Sequence, residues 1–181
     1  MLVLLAAAAF ASAANLRICD SLLPQIAGEF QVSIGSASAV VTAFAISYGV
    51  AQIVVGPLGD ARGKIATIVI GTLWVGLWTA SCAVLPGLWT LVAGRFLAGT
   101  GAAAVIPLAI AWIGDVIPYD RRQPVLARFL SGQILGIVFG QAAGGILGDL
   151  VGWRGTMLVG SGVHLVAGLL LLREMRRGGL S

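Results

Sequence analysis

The sequence predicts an all-α, polytopic membrane protein with six transmembrane helices. Of its 181 residues, 59% are hydrophobic and 10% are charged, whereas a soluble domain carries about a quarter charged residues. Apolar runs of about 20 residues, the length that crosses the hydrocarbon core as a helix, lie between short charged clusters. We place the spans at approximately residues 1–18, 37–58, 65–85, 88–114, 125–148 and 155–172.

The short connections predict antiparallel neighbours in one bundle, so residues 1–181 form one domain. The exception is the first outer connection, approximately residues 19–36, where we expect Pro24 to end a helical stretch. The first span could instead be a cleaved signal peptide, because Ala11, Ser12 and Ala13 are small. No basic residue precedes it, which favours a retained helix, and its abrupt start at Met1 predicts further natural residues upstream.

The basic residues predict the orientation in the cell membrane. With the N-terminus in the cytoplasm, most of the 11 basic residues fall on inner connections, as the positive-inside rule requires. They are Arg62, Lys64, Arg121, Arg122, Arg128, Arg173, Arg176 and Arg177. Both termini are then cytoplasmic. The pI near 9.8 therefore indicates topology and contact with the lipid bilayer, and it gives no reason to expect nucleic-acid binding.

Few residues suit catalysis or cofactor binding, so we predict neither an enzyme nor a metal or cofactor site. Cys19 and Cys82 lie near outer helix ends, where free thiols are favoured over a disulfide. His164 is the only histidine and is expected to be packed or to line a pore. The glycine-rich stretch at 99–104 lies within a span, not after a strand, and is not a dinucleotide-binding motif.

Polar residues within the spans are the candidates for binding protons or substrate. Arg95 lies about two turns into the fourth span, where a charge costs at least ~2.5–3.5 kcal/mol, so we expect it to face the interior with a partner. Tyr48 and Gln52 form a polar stripe on the second span, and Gln133 and Gln141 form one on the fifth. These glutamines either line a substrate path or join helices by hydrogen bonds.

The inner connection "GPLGDARGK", residues 56–64, contains glycines that permit a tight reversal of the chain. Asp60 needs positive charge nearby, and Arg62 and Lys64 are close in sequence. Asp115, at the inner end of the fourth span, is placed to pair with these bases across the bundle. The charges therefore predict an ionic cluster at the inner surface.

The fifth span repeats glycine at every fourth position, namely Gly132, Gly136, Gly140, Gly144 and Gly148. Small residues let helix backbones approach closely within a membrane. A row at this spacing turns slowly around the helix. It predicts a packing groove for a helix that crosses at an angle.

Two of these stretches resemble motifs of the major facilitator superfamily. "GPLGDARGK" resembles its loop motif G-x-L-x-D-R-x-G-R/K-R/K, although Ala61 and Ile65 depart from the pattern. "GRFLAGTGAAA" resembles its fourth-helix motif, whose arginine is associated with proton coupling and corresponds to Arg95. The residues on the loop motif are Gly56, Leu58, Asp60, Gly63 and Lys64, and "CDSLLPQIAGEF" and "GWR" at 152–154 are also similar to family sequences.

The fifth span resembles the motif G-x-x-x-G-P-x-x-G-G of drug and proton antiporters in that superfamily. Gly136, Gly140, Gly144 and Gly145 lie on the motif, and Gln141 replaces its proline. The resemblance implies efflux of small, often amphipathic molecules in exchange for protons. The alternative is a six-helix accessory or structural membrane protein that transports nothing.

The superfamily fold has two six-helix halves, and this chain resembles the N-terminal one. It is then a truncated gene or partial sequence, a half-size chain that dimerises, or a partner of a separately encoded second half. The resemblance implies that Arg95 tunes a nearby acid or binds substrate. It also implies that Asp60, Arg62, Lys64 and Asp115 form a latch favouring the outward-facing state. The glycine groove would face a helix of the other half.

Overall fold

The computed structural model describes residues 1–178, and these residues are helical apart from short turns. The first connection also contains a short 3-10 helix, Asp20–Leu22. The α-helices are α1 Leu2–Ile18, α2 Leu23–Phe30, α3 Ile34–Ala37, α4 Ala39–Arg62, α5 Lys64–Cys82, α6 Leu88–Ala102, α7 Val105–Val116 and α8 Tyr119–Arg176.

By length and composition, five helical stretches within residues 1–178 are able to cross a membrane. The last, α8, contains Gly152 in a non-helical conformation with φ 72° and ψ 169°. Phe129 and Leu171 lie on opposite sides of Gly152, yet both belong to one buried cluster with Leu5 of α1. The segments 119–151 and 153–176 therefore fold back against each other. The positive φ explains why a glycine occupies this reversal.

The first outer connection differs from the prediction because it is largely helical. Pro24 lies in the first turn of α2 and does not end a helix. The first turn tolerates proline because its amide has no partner within the helix in any case. Gln31, with φ 51°, ends α2, and the Ser33 side chain accepts a hydrogen bond from the Ser36 amide at the start of α3.

The inner connection 56–64 is also shorter than predicted. Helix α4 continues through Pro57 to Arg62, and only Gly63 separates it from α5. Gly63 has φ 89° and takes the reversal on its own. The predicted loop motif therefore lies mainly on the last turns of a helix, where successive side chains have fixed spacing.

The fourth predicted span consists of two helices. Helix α6 ends at Ala102, and α7 begins at Val105, so a break lies near the middle of the stretch. Ala103 and Ala104 at the break are buried in the core cluster that also contains Leu5 and Ile68. The break is therefore packed against α1 and α5.

Three glycines of the α8 row pack against α1 of the same chain, so the expectation that the groove faces a helix of the other half is wrong. A β-carbon at Gly136 would lie 2.5 Å from the carbonyl oxygen of Phe10, and one at Gly144 would lie 2.5 Å from that of Ile18. Gly140 meets the backbone of Ala14 in the same way. The row thus admits the α1 backbone, which is the close approach that small residues permit in membranes.

Candidate functional site

Arg95, on α6, is completely buried inside the bundle. One terminal nitrogen, Nη1, donates to Oδ1 of Asn15 at 2.5 Å, and the other, Nη2, donates to the Asn15 carbonyl at 3.0 Å. The expectation of an interior position and a partner is therefore met. The partner is a neutral amide on α1, and no sequence pattern predicts that Asn15 has this role.

Asn15 and Arg95 belong to a network that joins α1, α4, α5 and α6. Asn15 Nδ2 donates to Oγ1 of Thr79 at 3.0 Å. The Arg95 guanidinium carbon lies 4.2 Å from the centre of the Phe44 ring, a cation–π contact. Within residues 1–178 no carboxylate forms an ion pair with Arg95. Oriented dipoles and an aromatic face therefore surround this charge, and no acid of the described residues neutralises it.

The other polar candidates of the spans have different surroundings. Tyr48 is half-buried and stacks on Phe44, with ring centres 6.5 Å apart, so it adjoins the Arg95 network. Gln52 is exposed, one turn further along α4. On α8, Gln133 is half-buried and the side chain of Gln141 is exposed.

The main-chain carbonyl of Gln141 accepts a hydrogen bond from Oγ of Ser21 at 2.8 Å. The helix is continuous at this position, where the antiporter motif has proline. Of the four motif glycines, Gly136, Gly140 and Gly144 contact the α1 backbone, whereas Gly145 has only ordinary contacts with Ser21. The glycines thus act in packing between α1 and α8.

Asp60, Lys64 and Asp115 form an ionic cluster, here called the inner ionic cluster, at the end of the bundle that the basic residues predict to be cytoplasmic. Lys64 Nζ lies 2.6 Å from Oδ2 of Asp115 and 3.4 Å from Oδ1 of Asp60. Asp60 is on the last turn of α4, Lys64 begins α5, and Asp115 is near the end of α7. Arg62 is exposed and takes part in no ion pair with a described residue. Lys64 is therefore the base that links the three helices.

The remaining loop-motif residues shape the end of α4. Gly56 and Leu58 are half-buried, and neither a β-carbon at Gly56 nor one at Gly63 would meet another atom within 4 Å. Gly63 supplies the positive φ between α4 and α5. The loop motif thus reverses the chain at Gly63 and places the charges of Asp60 and Lys64 on either side of that reversal.

A second polar cluster, here called the outer cluster, is formed by Glu29, Trp153 and Arg154 at the opposite end of the bundle. Arg154 donates to Oε1 of Glu29 from Nε at 3.1 Å and from Nη2 at 2.7 Å. Trp153 Nε1 donates to the other carboxylate oxygen at 2.5 Å. Arg154 Nη1 also donates to the carbonyls of Ala83 and Leu85. The cluster joins α2, the end of α5 and the start of the second α8 segment.

The residues considered for metal or thiol chemistry are packed in the interior. Cys19 and Cys82 are buried free thiols. His164 is buried, and its Nδ1 lies 2.9 Å from the Gly160 carbonyl. Within residues 1–178 no group of three His, Cys, Asp or Glu side chains is arranged to hold a metal ion.

Sequence reasoning did not identify Asn15 as a site residue. The one available signal was an amide within the otherwise apolar run "LLAAAAFASAANL". Glu29 and Arg154 lie in the two stretches that are similar to family sequences, but 125 positions separate them and no local pattern predicts that they pair.

Comparison with known proteins identifies the family. The Major Facilitator Superfamily model matches residues 5–179. The efflux pump radE of Floropilus chiversii is 29% identical over 162 residues, which are 87% of this chain and 30% of that protein. The human protein spinster homolog 1 is 32% identical over 163 residues, 87% of this chain and 31% of that protein. The chain therefore spans about a third of the length of these relatives.

A third relative, the uncharacterized MFS-type transporter YwfA of Bacillus subtilis, is 27% identical over 168 residues, 93% of this chain and 41% of that protein. A bacterial homologue of the human lysosomal transporter Spinster, solved in an inward-facing and occupied conformation, has the same fold with a TM-score of 0.83. It is 18% identical, and the alignment covers 95% of this chain and 43% of that structure. The relatives are membrane transporters and not enzymes. The chain belongs to the major facilitator superfamily.

Proposed function

We propose that this chain is the N-terminal half of a transporter that exports small molecules in exchange for protons. The two halves of such a protein rock about a central site, which opens to each side of the membrane in turn. The second half is the remainder of the same polypeptide or another chain. The name of one relative, efflux pump radE, supports export as the direction of transport.

The observation that carries this proposal is the buried charge of Arg95. A guanidinium without an acidic partner is costly within a membrane and is retained where function requires it. It contacts Asn15 on α1 and Phe44 on α4, and the bond from Asn15 to Thr79 extends this network to α5, so three helices are connected to one charge. A substrate anion or a carboxylate on the other half would complete this environment, so Arg95 binds substrate or shifts the protonation of that carboxylate.

The inner ionic cluster is proposed as the latch that favours the outward-facing state. Lys64 already binds Asp115, which leaves Asp60 as the more weakly held and more exposed carboxylate. Asp60 is thus available for a positive helix end or base of the second half when the inner surface closes. Arg62, being exposed, is available for the same surface.

We further propose that the protein lies in the plasma membrane and crosses it six times, with both termini in the cytoplasm. The reversal at Gly152 divides α8 into two crossings, and the stretch Leu88–Val116 makes one crossing despite its break. Single cysteines at Val32 and Gly87, in a chain with Cys19 and Cys82 replaced by serine, should react with an impermeant maleimide from outside. Cysteines at the exposed positions Ala61 and Arg177 should react only after permeabilisation, and the reverse pattern would contradict the orientation.

The transport proposal is tested in the intact transporter, reconstituted in vesicles with an imposed pH gradient and ethidium as probe. We expect wild-type protein to move ethidium against its gradient, and Asp60→Asn and Arg95→Ala to abolish that movement while still inserting. Asp120→Asn, which alters an exposed inner carboxylate outside the cluster, is the matched control and should transport normally. Wild-type transport by both site variants would refute the assigned roles.

A further inference from the structure

A half-open cavity of about 290 Å³ lies between the N-terminal end of α1 and the first turns of α8. Its walls are hydrocarbon apart from one side chain, the guanidinium-bearing Arg128. The lining residues are Leu2, Val3, Ala6, Val125, Arg128 and Phe129. The cavity therefore offers an apolar slot beside one positive charge.

No carboxylate among the described residues neutralises the charge of Arg128. Arg128 is exposed and forms no ion pair with any carboxylate among residues 1–178. The neighbouring bases are engaged, since Arg121 lies 3.7 Å from Asp120 and Arg122 Nη2 donates to the Gly114 carbonyl at 2.5 Å. Arg128 is thus the base of the first α8 turns that remains available to a ligand.

The cavity lies at the end of the bundle where further positive charge collects. Leu2 and Val125 pack against the same core cluster as Met175, so the end of α8 adjoins the cavity end of the bundle. Arg173 and Arg176 are on this last part of α8 and take part in no ion pair with a described residue. The potential at this end is therefore positive, and it attracts anions at the membrane surface.

We propose that this cavity is a binding site for an anionic phospholipid. The phosphate lies beside Arg128, and part of an acyl chain occupies the slot formed by α1 and α8. Charge complementarity favours an anionic over a zwitterionic headgroup, and the apolar lining favours an attached acyl chain over free phosphate. The site is separate from Arg95 and from the inner ionic cluster, so it does not depend on the transport proposal.

The test is the thermal unfolding midpoint of the full chain in detergent during titration with phosphatidylglycerol, phosphatidylcholine or sodium phosphate. We expect phosphatidylglycerol to raise the midpoint saturably, at lower concentration than phosphatidylcholine, and phosphate to have no effect. Arg128→Gln should weaken phosphatidylglycerol binding about fivefold, the effect of one basic residue at a membrane surface. Arg128→Lys should retain it.

Two further variants separate this site from general attraction to a basic surface. Arg62→Gln removes an exposed, unpaired inner charge away from the cavity and should leave phosphatidylglycerol binding unchanged. Ala6→Phe narrows the slot and should weaken lipid binding, provided that its midpoint without added lipid matches that of the wild type. Equal losses in Arg128→Gln and Arg62→Gln, or equal stabilisation by phosphate and phosphatidylglycerol, would overturn the proposal.

Discussion

Arg95 on α6 donates hydrogen bonds to both the side-chain and the main-chain oxygen of Asn15 on α1. The two residues are 80 positions apart, and both are buried. Because Asn15 also binds Thr79 on α5, the amide fixes the position of the guanidinium relative to two other helices. This contact makes the buried charge part of the packing of the bundle.

Loss of the Asn15 amide should therefore destabilise the protein more than the small size of this group suggests. We expect Asn15→Leu to lower the free energy of unfolding by about 1.5–3 kcal/mol, the range for hydrogen bonds to charged groups. Thr79→Val removes only a neutral hydrogen bond and should cost about 1 kcal/mol. Denaturant unfolding in detergent micelles measures both.

The double variant Asn15→Leu with Arg95→Leu tests the physical reason for that loss. The single variant Asn15→Leu leaves the buried charge of Arg95 without its acceptors, whereas the double variant removes that charge as well. The double variant should therefore be more stable than Asn15→Leu alone. If the double variant instead loses as much unfolding free energy as Asn15→Leu and Arg95→Leu together, the two residues do not interact.

The glycine row gives a prediction with an internal control. Gly140→Leu places a side chain against the Ala14 backbone, and overpacking of this kind costs about 1–3 kcal/mol. Gly132→Ala enters open space and should be neutral or stabilising, because alanine is the better helix former by about 1 kcal/mol. The unfolding midpoint of Gly140→Leu should fall below that of the wild type, whereas the midpoint of Gly132→Ala should stay the same or rise. Equal decreases in both variants would argue against packing between α1 and α8.

The outer cluster predicts unequal effects for the two members of its ion pair. Arg154→Ala removes bonds to Glu29 and to the carbonyls of Ala83 and Leu85, so it frees the end of α5 as well as α2. Glu29→Gln keeps an acceptor for Arg154 and should cost less than ~1 kcal/mol, as partly exposed pairs do. Thermal unfolding in detergent checks the order.

Arg17→Ala serves as the control for the outer cluster, since Arg17 pairs with Asp20 within one turn and is half exposed. It should change the unfolding midpoint little. A loss for Glu29→Gln as large as that for Arg154→Ala would show that the carbonyl bonds of Arg154 contribute nothing.

The sequence predicted the helical membrane class and the interior position of Arg95 because both follow from the cost of placing charge in hydrocarbon. It did not predict Asn15, because an isolated amide in an apolar span carries no spacing signal. It misplaced the inner turn because Gly56 and Pro57 suggest a loop, whereas α4 continues through them to Arg62. The glycine row predicted a groove correctly, but its spacing does not specify which helix fills it, and α1 does.

We propose that Arg95 participates in transport as well as in packing. The direct test compares Arg95→Lys and Arg95→Gln in the intact transporter, in vesicles where the pH gradient is varied and ethidium efflux is measured. Thermal unfolding of each purified variant establishes that it is folded. We predict that Arg95→Gln is folded, inserted and unable to use the pH gradient, while Arg95→Lys retains part of the activity. Efflux by Arg95→Gln at the wild-type rate, with the wild-type dependence on the gradient, would contradict the claim.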